Sequence, residues 1–557
     1  MTAGLVTIDR AAQVARLRDF SEVWDALARC RDRGVHIFDD NARVMVYRSY
    51  RDVLDEAGRL AATLARYGVG RGHHVLLCAA THPNFPSLWL ALVWLGATPV
   101  PVPPRAALVG QYTFRERLRG IIRYFPFYLC ADDERVEILE ITAETAATTR
   151  IVALDELYRD SVTPLQFPER VSPAEQDVAF VQFTSGSTKA PKGILVTYGN
   201  LFANVYDIWS RLQTDPDAER FISWLPLYHD MGLVGKFLGC LLTQTELVLM
   251  SPQAFAKRPL NFLSMIGEYR ASVCSMPNFA LEWILRRMSA SVDQNYSLES
   301  MKWIGVGAEP VNPATLERFE LTLRAHGLRE GTLSPCYGLA EATLGVSISP
   351  PGEGYDLFEH DGRHYPTVGR LLTGMEVRVS PQEGHPAFGR ILIRGESVAR
   401  RALIGEEVVN LLDQDGYYDT KDIGGFAGSH LVVLGRADEM FIVNGENYFP
   451  SDIESVVRTV ASVLRNRVVC FCVASGSRRA GEIVILYESR PLSLAEEDKL
   501  NSEIERQVRG HMGLPAVTIQ GVPPKTIPVT PSGKIQRLRA RQLYQEGFYH
   551  TSETECV

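Results

Sequence analysis

Between Phe20 and Pro104, segments with helical apolar spacing take turns with short β-branched runs: FSEVWDALARC, HHVLLCAA, FPSLWLALVWLGA, then TPVPVPP. A helix of this kind buries one stripe and a short apolar strand buries both faces, so the alternation predicts a sheet covered by helices, an α/β fold. The apolar stretch Leu88 to Val102 is shorter than the ~18–20 residues that span a bilayer, and Pro99 and Pro101 interrupt it. It reads as a buried helix followed by an extended segment, which argues against a transmembrane segment. A single core stops growing at roughly 250–300 residues. The 557 residues therefore predict at least two domains.

Charge and thiols narrow the function classes. The net charge of −8, with no Lys/Arg block in any stretch, leaves little support for binding nucleic acid through its phosphates. Met1 to Arg10 lacks the apolar core of a secretory signal. The nine cysteines are scattered without a CxxC spacing, which predicts buried free thiols in a reducing compartment and a cytoplasmic location. Cys470 and Cys472 alternate in VVCFCVA and share one strand face.

Further along, Ile348 to Pro366 is rich in Pro, Gly and charge and is expected to be a loop. A strand-rich region follows from Thr367 to Leu434. After Asp438 the pattern restarts with MFIVN, a turn at Gly445 to Asn447, and a helix opened by Pro450 and Ser451. The expected division is a large N-terminal domain, 1–436, built of several sheets flanked by helices, and a small α+β domain, 437–557.

The sharpest local signal is FTSGSTKAPKG, Phe183 to Gly193, directly after the apolar run DVAFVQ. Six of its eleven residues are Ser, Thr or Gly, able to turn hydroxyls and backbone N–H groups toward phosphate oxygens, while Lys189 and Lys192 add charge. It is not a Walker A loop, because G-x4-G-K-[ST] is absent. A solvated Ser/Gly turn is the alternative. SWLPLYHDMG places His229 and Asp230 beside Met231, where a histidine serves equally as a core or gate residue. GVGAEP (Gly305 to Pro310) follows the strand-like MKWI and offers backbone to a planar base. YGLAEAT (Tyr337 to Thr343) supplies an aromatic face and a carboxylate, Glu341, able to hold Mg²⁺.

In this order the motifs resemble the adenylate-forming superfamily of acyl-CoA ligases, peptide-synthetase adenylation domains and luciferases. FTSGSTKAPKG is similar to its phosphate loop, YGLAEAT to its adenine and Mg²⁺ motif, GYYDTKDIG (Gly416 to Gly424) to its ribose motif, and PVTPSGKIQR (Pro528 to Arg537) to its closing motif. The resemblance implies nucleotide binding by Thr184, Ser185, Gly186, Ser187, Thr188, Lys192, Gly307, Ala308, Glu309, Tyr337, Gly338, Asp422 and Arg436. It implies catalytic roles for Lys534, Glu341 and His229, with Glu341 also the metal ligand. Asp438 matches the hinge, and Gly445 the turn that swings toward the thiol tunnel. SWLPLYHDMGLVG, MPNFALEW, CYGLAEATL and ENYFPSDIE resemble the fatty acyl-AMP ligases in particular, pointing to an apolar carboxylic acid and to Met231, Met276, Asn278 and Phe279 as acyl-pocket residues.

The implied chemistry is carboxylate plus ATP to acyl-AMP and pyrophosphate, then attack by a phosphopantetheine thiol with AMP leaving. A carboxylate is already nucleophilic at neutral pH, so the first step needs charge screening and alignment, not a base. Lys189 and Lys421 stand where the superfamily usually has glycine, and Lys421 could draw Asp422 away from a ribose. The segment from Tyr337 to Gly369 is short, as in acyl-CoA ligases, which moves the expected acceptor toward CoA, with acyl carrier protein the alternative. Two other readings stand beside the complete ligase: a partial enzyme taking a ready-made acyl-adenylate, and a nucleotide-binding regulator without turnover.

Overall fold

The computed structural model describes residues 20–39, 41, 45–105, 111–161, 166–184, 191–289, 295–360, 362–382, 385–443, 446–460, 463–473, 482–512, 514, 517–530 and 534–549. The chain divides into two compact units, one of 1–380, 392–420 and 425–432, the other of 381–391, 421–424 and 433–557. The second unit thus draws in two short segments that lie far upstream of the sequence restart at Asp438.

The first unit is framed by three larger sheets, with smaller ones beside them. The largest has seven strands in the order Leu333–Pro335, Trp303–Val306, Val273–Met276, Arg220–Ser223, Glu246–Leu249, Gly34–Phe38, Met45–Ser49. Only its last pair is antiparallel. A four-stranded parallel sheet runs Thr98–Val102, His74–Cys78, Phe127–Cys130, Arg150–Ala153. An antiparallel sheet joins Glu407–Asn410, Arg401–Ile404, Lys192–Thr197 and Val178–Thr184. The apolar stretch noted in the sequence is the fully buried helix Phe85–Trp94 followed by strand Thr98–Val102. Among the described residues no helix is long and apolar enough to cross a membrane.

Local chemistry sets the helix starts. Ser49 and Asp52 form a reciprocal capping box on Tyr50–Arg66, and Thr197 with Asn200 repeats it on Tyr198–Arg211. Ile348 to Pro366, expected as a loop, carries a hairpin, Leu357–His360 paired with Arg363–Pro366. Leu357–His360 alternates exposed and half-buried residues, whereas Arg363–Pro366 ends on two buried ones, and so short a period is hidden in sequence by the surrounding Pro and Gly.

In the second unit, Val463–Val473, Glu482–Ser489 and Thr518–Val522 form a three-stranded sheet. Val468 and Cys470 pack on one face with Ile453, Val457, Ile504 and Val508 of helices Pro450–Val457 and Leu494–Met512. Val469, Phe471 and Val473 face the other way, toward Ala540 of helix Arg537–Gln545. Cys472 packs with Cys470, on the shared face the alternation predicts. The eight cysteines among the described residues are free thiols, six of them buried.

Candidate active site

Strand Val178–Thr184 ends where the Ser/Thr/Gly loop begins, and Thr184 pairs with Lys192 on the returning strand. Ser185, Gly186, Ser187, Thr188 and Lys189 lie outside the described residues. The loop's downstream lysine is placed. Lys192 Nζ donates to Glu341 Oε1 at 2.9 Å and to the Tyr418 hydroxyl at 3.3 Å, while that hydroxyl donates to the same Glu341 oxygen at 2.8 Å. The ammonium also stands 5.1 Å from the Tyr418 ring centre. The phosphate-loop and YGLAEAT motifs, 149 residues apart, therefore meet at one carboxylate, with a tyrosine from the GYYDTKDIG motif completing the group.

Glu341 is held by backbone as well as side chain. It lies in the one-turn helix Ala340–Ala342, and its carbonyl accepts from Ala399 N–H at 2.8 Å. The Thr343 hydroxyl donates to Ser397 O at 2.7 Å. Fully buried Asn204 clamps Gly345 through both backbone groups, accepting its N–H at 3.0 Å and donating to its carbonyl at 2.9 Å. Asn200 donates to Glu396 O at 2.6 Å. Helix Tyr198–Arg211 thus fixes both segments that carry the carboxylate.

Around GVGAEP the glycines are sterically required. A Cβ on Gly307 would stand 2.7 Å from Cys336 O, and one on Gly338 would stand 2.0 Å from Leu344 O. Ala308 adopts φ +69°, a left-handed conformation that costs a non-glycine residue roughly 1–2 kcal/mol. Glu309, expected at the nucleotide, accepts the Phe279 N–H at 2.7 Å and so caps helix Asn278–Met288. Asn278 is 5% exposed and accepts from Asn312 N–H at 3.1 Å. Met231 and Met276 lie in the apolar cluster with Trp224, Phe255 and Ile304, and half-buried Phe279 packs against it. His229 caps the short turn Asp230–Gly232, its Nδ1 accepting Met231 N–H at 3.3 Å and lying 2.6 Å from Asp230 Oδ1.

In the second unit, Arg436 bonds Asp438 at 3.0 Å through Nε and stands 3.7 Å from Asp422. Burial opposes its charge, but the Asp438 hydrogen bond and the Asp422 and Asp438 carboxylates outweigh that and raise its pKa. Lys421 is exposed, with φ +66°, and its carbonyl accepts from Ala437 N–H at 2.8 Å. Glycine adopts such a left-handed backbone without strain, so lysine here carries a conformational cost. Lys534 lies on a tight return in which Val529 bridges Ile535, Lys534 O accepts from Thr530 N–H at 2.7 Å, and the Thr530 hydroxyl accepts from Lys534 N–H at 3.0 Å. Gly445 lies outside the described residues.

Two groups escaped the sequence reading. Tyr418 sits inside a quoted motif but carried no assigned role. Arg537 ends the Lys534 motif and grips fully buried Glu454 with two bonds, 2.8 Å from Nε and 2.7 Å from Nη2. Glu454 is the last letter of ENYFPSDIE, so both partners were in view, but nothing in sequence indicates that they pair.

A carboxylate–lysine pair on the strand that returns from the Ser/Thr/Gly motif, on a large α/β unit followed by a smaller one, is the arrangement expected of an adenylate-forming enzyme. The AMP-binding enzyme family model matches residues 24–401, and the chain belongs to that family of acyl-activating ligases. A Caulobacter vibrioides protein named for acyl-CoA synthetase activity is 29% identical over 98% of this chain and 99% of its own length. The 4-hydroxyphenylalkanoate adenylyltransferase of Mycobacterium marinum is 31% identical over 73% of this chain and 71% of its own. Among solved structures, one from a study of fatty acyl-adenylate ligases of E. coli and L. pneumophila matches with a TM-score of 0.84 at 25% identity, covering 97% of this chain and 100% of that one. The McyG adenylation and carrier structure, with phenylalanyl-adenylate, matches in fold with a TM-score of 0.85 at 23% identity, covering 95% of this chain and 83% of that one.

Proposed function

We propose that the chain joins an apolar carboxylic acid to AMP at the expense of ATP and passes the acyl group to a phosphopantetheine thiol, CoA in preference to a carrier protein. The observation that carries this reading is the Lys192, Glu341 and Tyr418 cluster at the mouth of the Ser/Thr/Gly hairpin. Lys192 supplies an ammonium to phosphate oxygens, and its partial burial strengthens that interaction over its value in water.

Among the described residues no three His, Cys, Asp or Glu side chains gather as a metal cage. A single carboxylate suits Mg²⁺, which keeps most of its ligands on phosphate and water oxygens. Glu341 would hold it, and the ion would supply charge neutralisation on the phosphates. Tyr418 keeps the Glu341 carboxylate in place through its hydroxyl. In the second unit, Lys534 is assigned the ammonium of the adenylation step and Arg436 and Asp422 the ribose contacts, with Asp438 as hinge and Gly445 as the thiol-side turn. Support for CoA comes from the short segment after Glu341 and from the Caulobacter relative's name.

The test is product analysis by mass spectrometry after incubation with ATP, Mg²⁺, CoA and a mixture of fatty, aromatic and terpenoid acids. Acyl-CoA with stoichiometric pyrophosphate is expected. Lys534→Ala should lose pyrophosphate release and keep thioester formation from synthetic acyl-AMP. If no acid releases pyrophosphate, the ligase reading fails.

A further inference from the structure

The seven-stranded sheet has two unlike faces. Ile222, Cys274, Met276, Ile304, Val306 and Leu333 enter the apolar cluster on one side. Strand alternation and the parallel register put Phe221, Val273 and Trp303 together on the other, with Ser275, Gly305 and Ser334 beside them. That second face is small and partly polar. A Cβ on Gly305 would come within 2.3 Å of the Trp303 ring and 3.1 Å of Ser275 Oγ. Ser334 is fully buried, and its hydroxyl has no hydrogen-bond partner.

Lys236 reaches over this face. It sits in the π-helical turn Leu233–Leu238, on the same run of chain that begins at His229 and Met231. The residue is 2% exposed. Its Nζ stands 5.2 Å from the Phe221 ring centre and 5.8 Å from that of Trp303, and among the described residues it has no hydrogen-bond or ion-pair partner. Burial pushes the ammonium down to about 8, opposed by the thiols of Cys274, Cys240 and Cys336, so it remains largely protonated at neutral pH. Cys336 directly precedes Tyr337, and a Cβ on Gly235 would touch Leu344, which places Lys236 one layer behind the segment that carries Glu341.

Aromatic faces attract a cation but supply neither a counter-charge nor a strong acceptor. A buried ammonium is ordinarily paired, and among the described residues no anion fills that role. We propose that Lys236 is a specificity-determining residue that pairs with a second carboxylate at the far end of the acid, so that the preferred substrates are dicarboxylic acids with an apolar body. The inference rests on the acyl-activating reading and places the acid's tail on the Phe221, Trp303 and Ser334 face, across the sheet from Met231 and Met276, and so departs from the acyl pocket that the sequence resemblance implies. Ser334 Oγ lies on the same face as a neutral donor for a carboxylate oxygen. Sequence offers one hint: Lys236 is the only charged letter in GLVGKFLGCLL.

Binding of hydrolysis-resistant acyl-sulfamoyl adenosines to the full chain tests this without turnover. Pairs of monoacid and diacid mimics with six-, eight-, ten- and twelve-carbon chains are titrated calorimetrically against the native protein, Lys236→Met and Lys236→Arg. At the best-fitting length the native protein should bind the diacid mimic at least about 30-fold tighter than its monoacid partner, the span of one desolvated charge pair. Lys236→Met should erase or invert that ratio, and Lys236→Arg should keep the preference. Equal or better binding of the monoacid at every length in the native protein overturns the proposal, whether or not the variants fold, and so does an unchanged ratio in Lys236→Met. Pyrophosphate release assayed separately keeps the two claims apart: release with monoacids alone defeats the Lys236 inference and leaves the ligase intact, whereas no release with any acid defeats the ligase reading.

Discussion

Replacing Arg537 with methionine should destabilise the second unit by about 3–5 kcal/mol, the usual cost of leaving one partner of a buried ion pair unmatched. Glu454 is completely buried and accepts four donors: Arg537 Nε at 2.8 Å and Nη2 at 2.7 Å, Cys470 N–H at 3.0 Å and Arg458 Nη2 at 3.3 Å. The variant deletes the two shortest, each charge-assisted and worth roughly 1.5–3 kcal/mol. Arg458 offsets part of the loss. Arg537 Nη1 also donates to Glu439 at 2.8 Å. Burial already raises the Glu439 carboxyl with Arg537 as the main opposing influence, so protonation of Glu439 will absorb some of its exposure to an uncompensated charge. The Cys470 amide, bonded to Glu454 from the edge strand Val463–Val473, is the natural probe. Its hydrogen exchange should speed by about two to three powers of ten, since each tenfold is about 1.4 kcal/mol. Glu454→Leu combined with Arg537→Met should recover much of the loss, because an apolar pair of similar volume removes both charges together. An acceleration below about fivefold in Arg537→Met, or a double variant no more stable than the single one in a urea titration, where the lost Cys470 acceptor does not bias the readout, would refute the reasoning.

Three further outcomes follow from geometry. Lys192→Met should lower the pyrophosphate-release rate by about 10²-fold or more, as loss of one preorganised electrostatic donor does, while Tyr418→Phe, which removes one hydroxyl from an otherwise intact Lys192–Glu341 pair, should cost less than about 10-fold. Asn204→Leu strands the Gly345 N–H and carbonyl in a fully buried place and should lower stability by about 2–4 kcal/mol in a urea titration. Burial raises Glu134 to about 7, against the bonding of Arg105 N–H, which donates to its Oε1 at 2.6 Å. A carboxyl raised in the fold favours the protonated native state, so its contribution to stability is full below about 4.5 and is lost as pH rises through about 7. Glu134→Gln should therefore melt higher than the native chain at pH 8 and about equally at pH 4.5, with thermal scans as the check.

Sequence carried the fold well where a residue's role is set by its near neighbours. The alternation from Phe20 to Pro104, the proline-opened helix at Pro450 and the shared face of Cys470 and Cys472 are local patterns, and the structure repeats them. It carried the site only as a set of names. That Lys192 and Glu341 touch is a tertiary fact spanning 149 residues, and no periodicity predicts it. Glu309 reads as a ligand group because it lies in a motif, and the structure adds that one of its carboxylate oxygens accepts the Phe279 N–H. Lys421 reads in sequence either as a competitor for Asp422 or as a solvent-facing lysine; its side chain is exposed, and its left-handed backbone was not legible. The Arg537–Glu454 pair was illegible because burial, which makes a carboxylate need a partner, is invisible until the chain is folded.

The mutual satisfaction of Lys192 and Glu341 also has a kinetic consequence. Two opposite charges 2.9 Å apart cancel at any distance beyond a few ångströms, and the chain as a whole carries −8. The pair therefore casts no long-range field to draw in a polyanionic nucleotide, and its phosphates and cation enter by exchanging partners with the lysine and the glutamate at close quarters. Capture of this sort is governed by how fast a short contact opens, so its rate should change little between dilute and physiological salt, over which the Debye length shrinks from about 30 to about 8 Å.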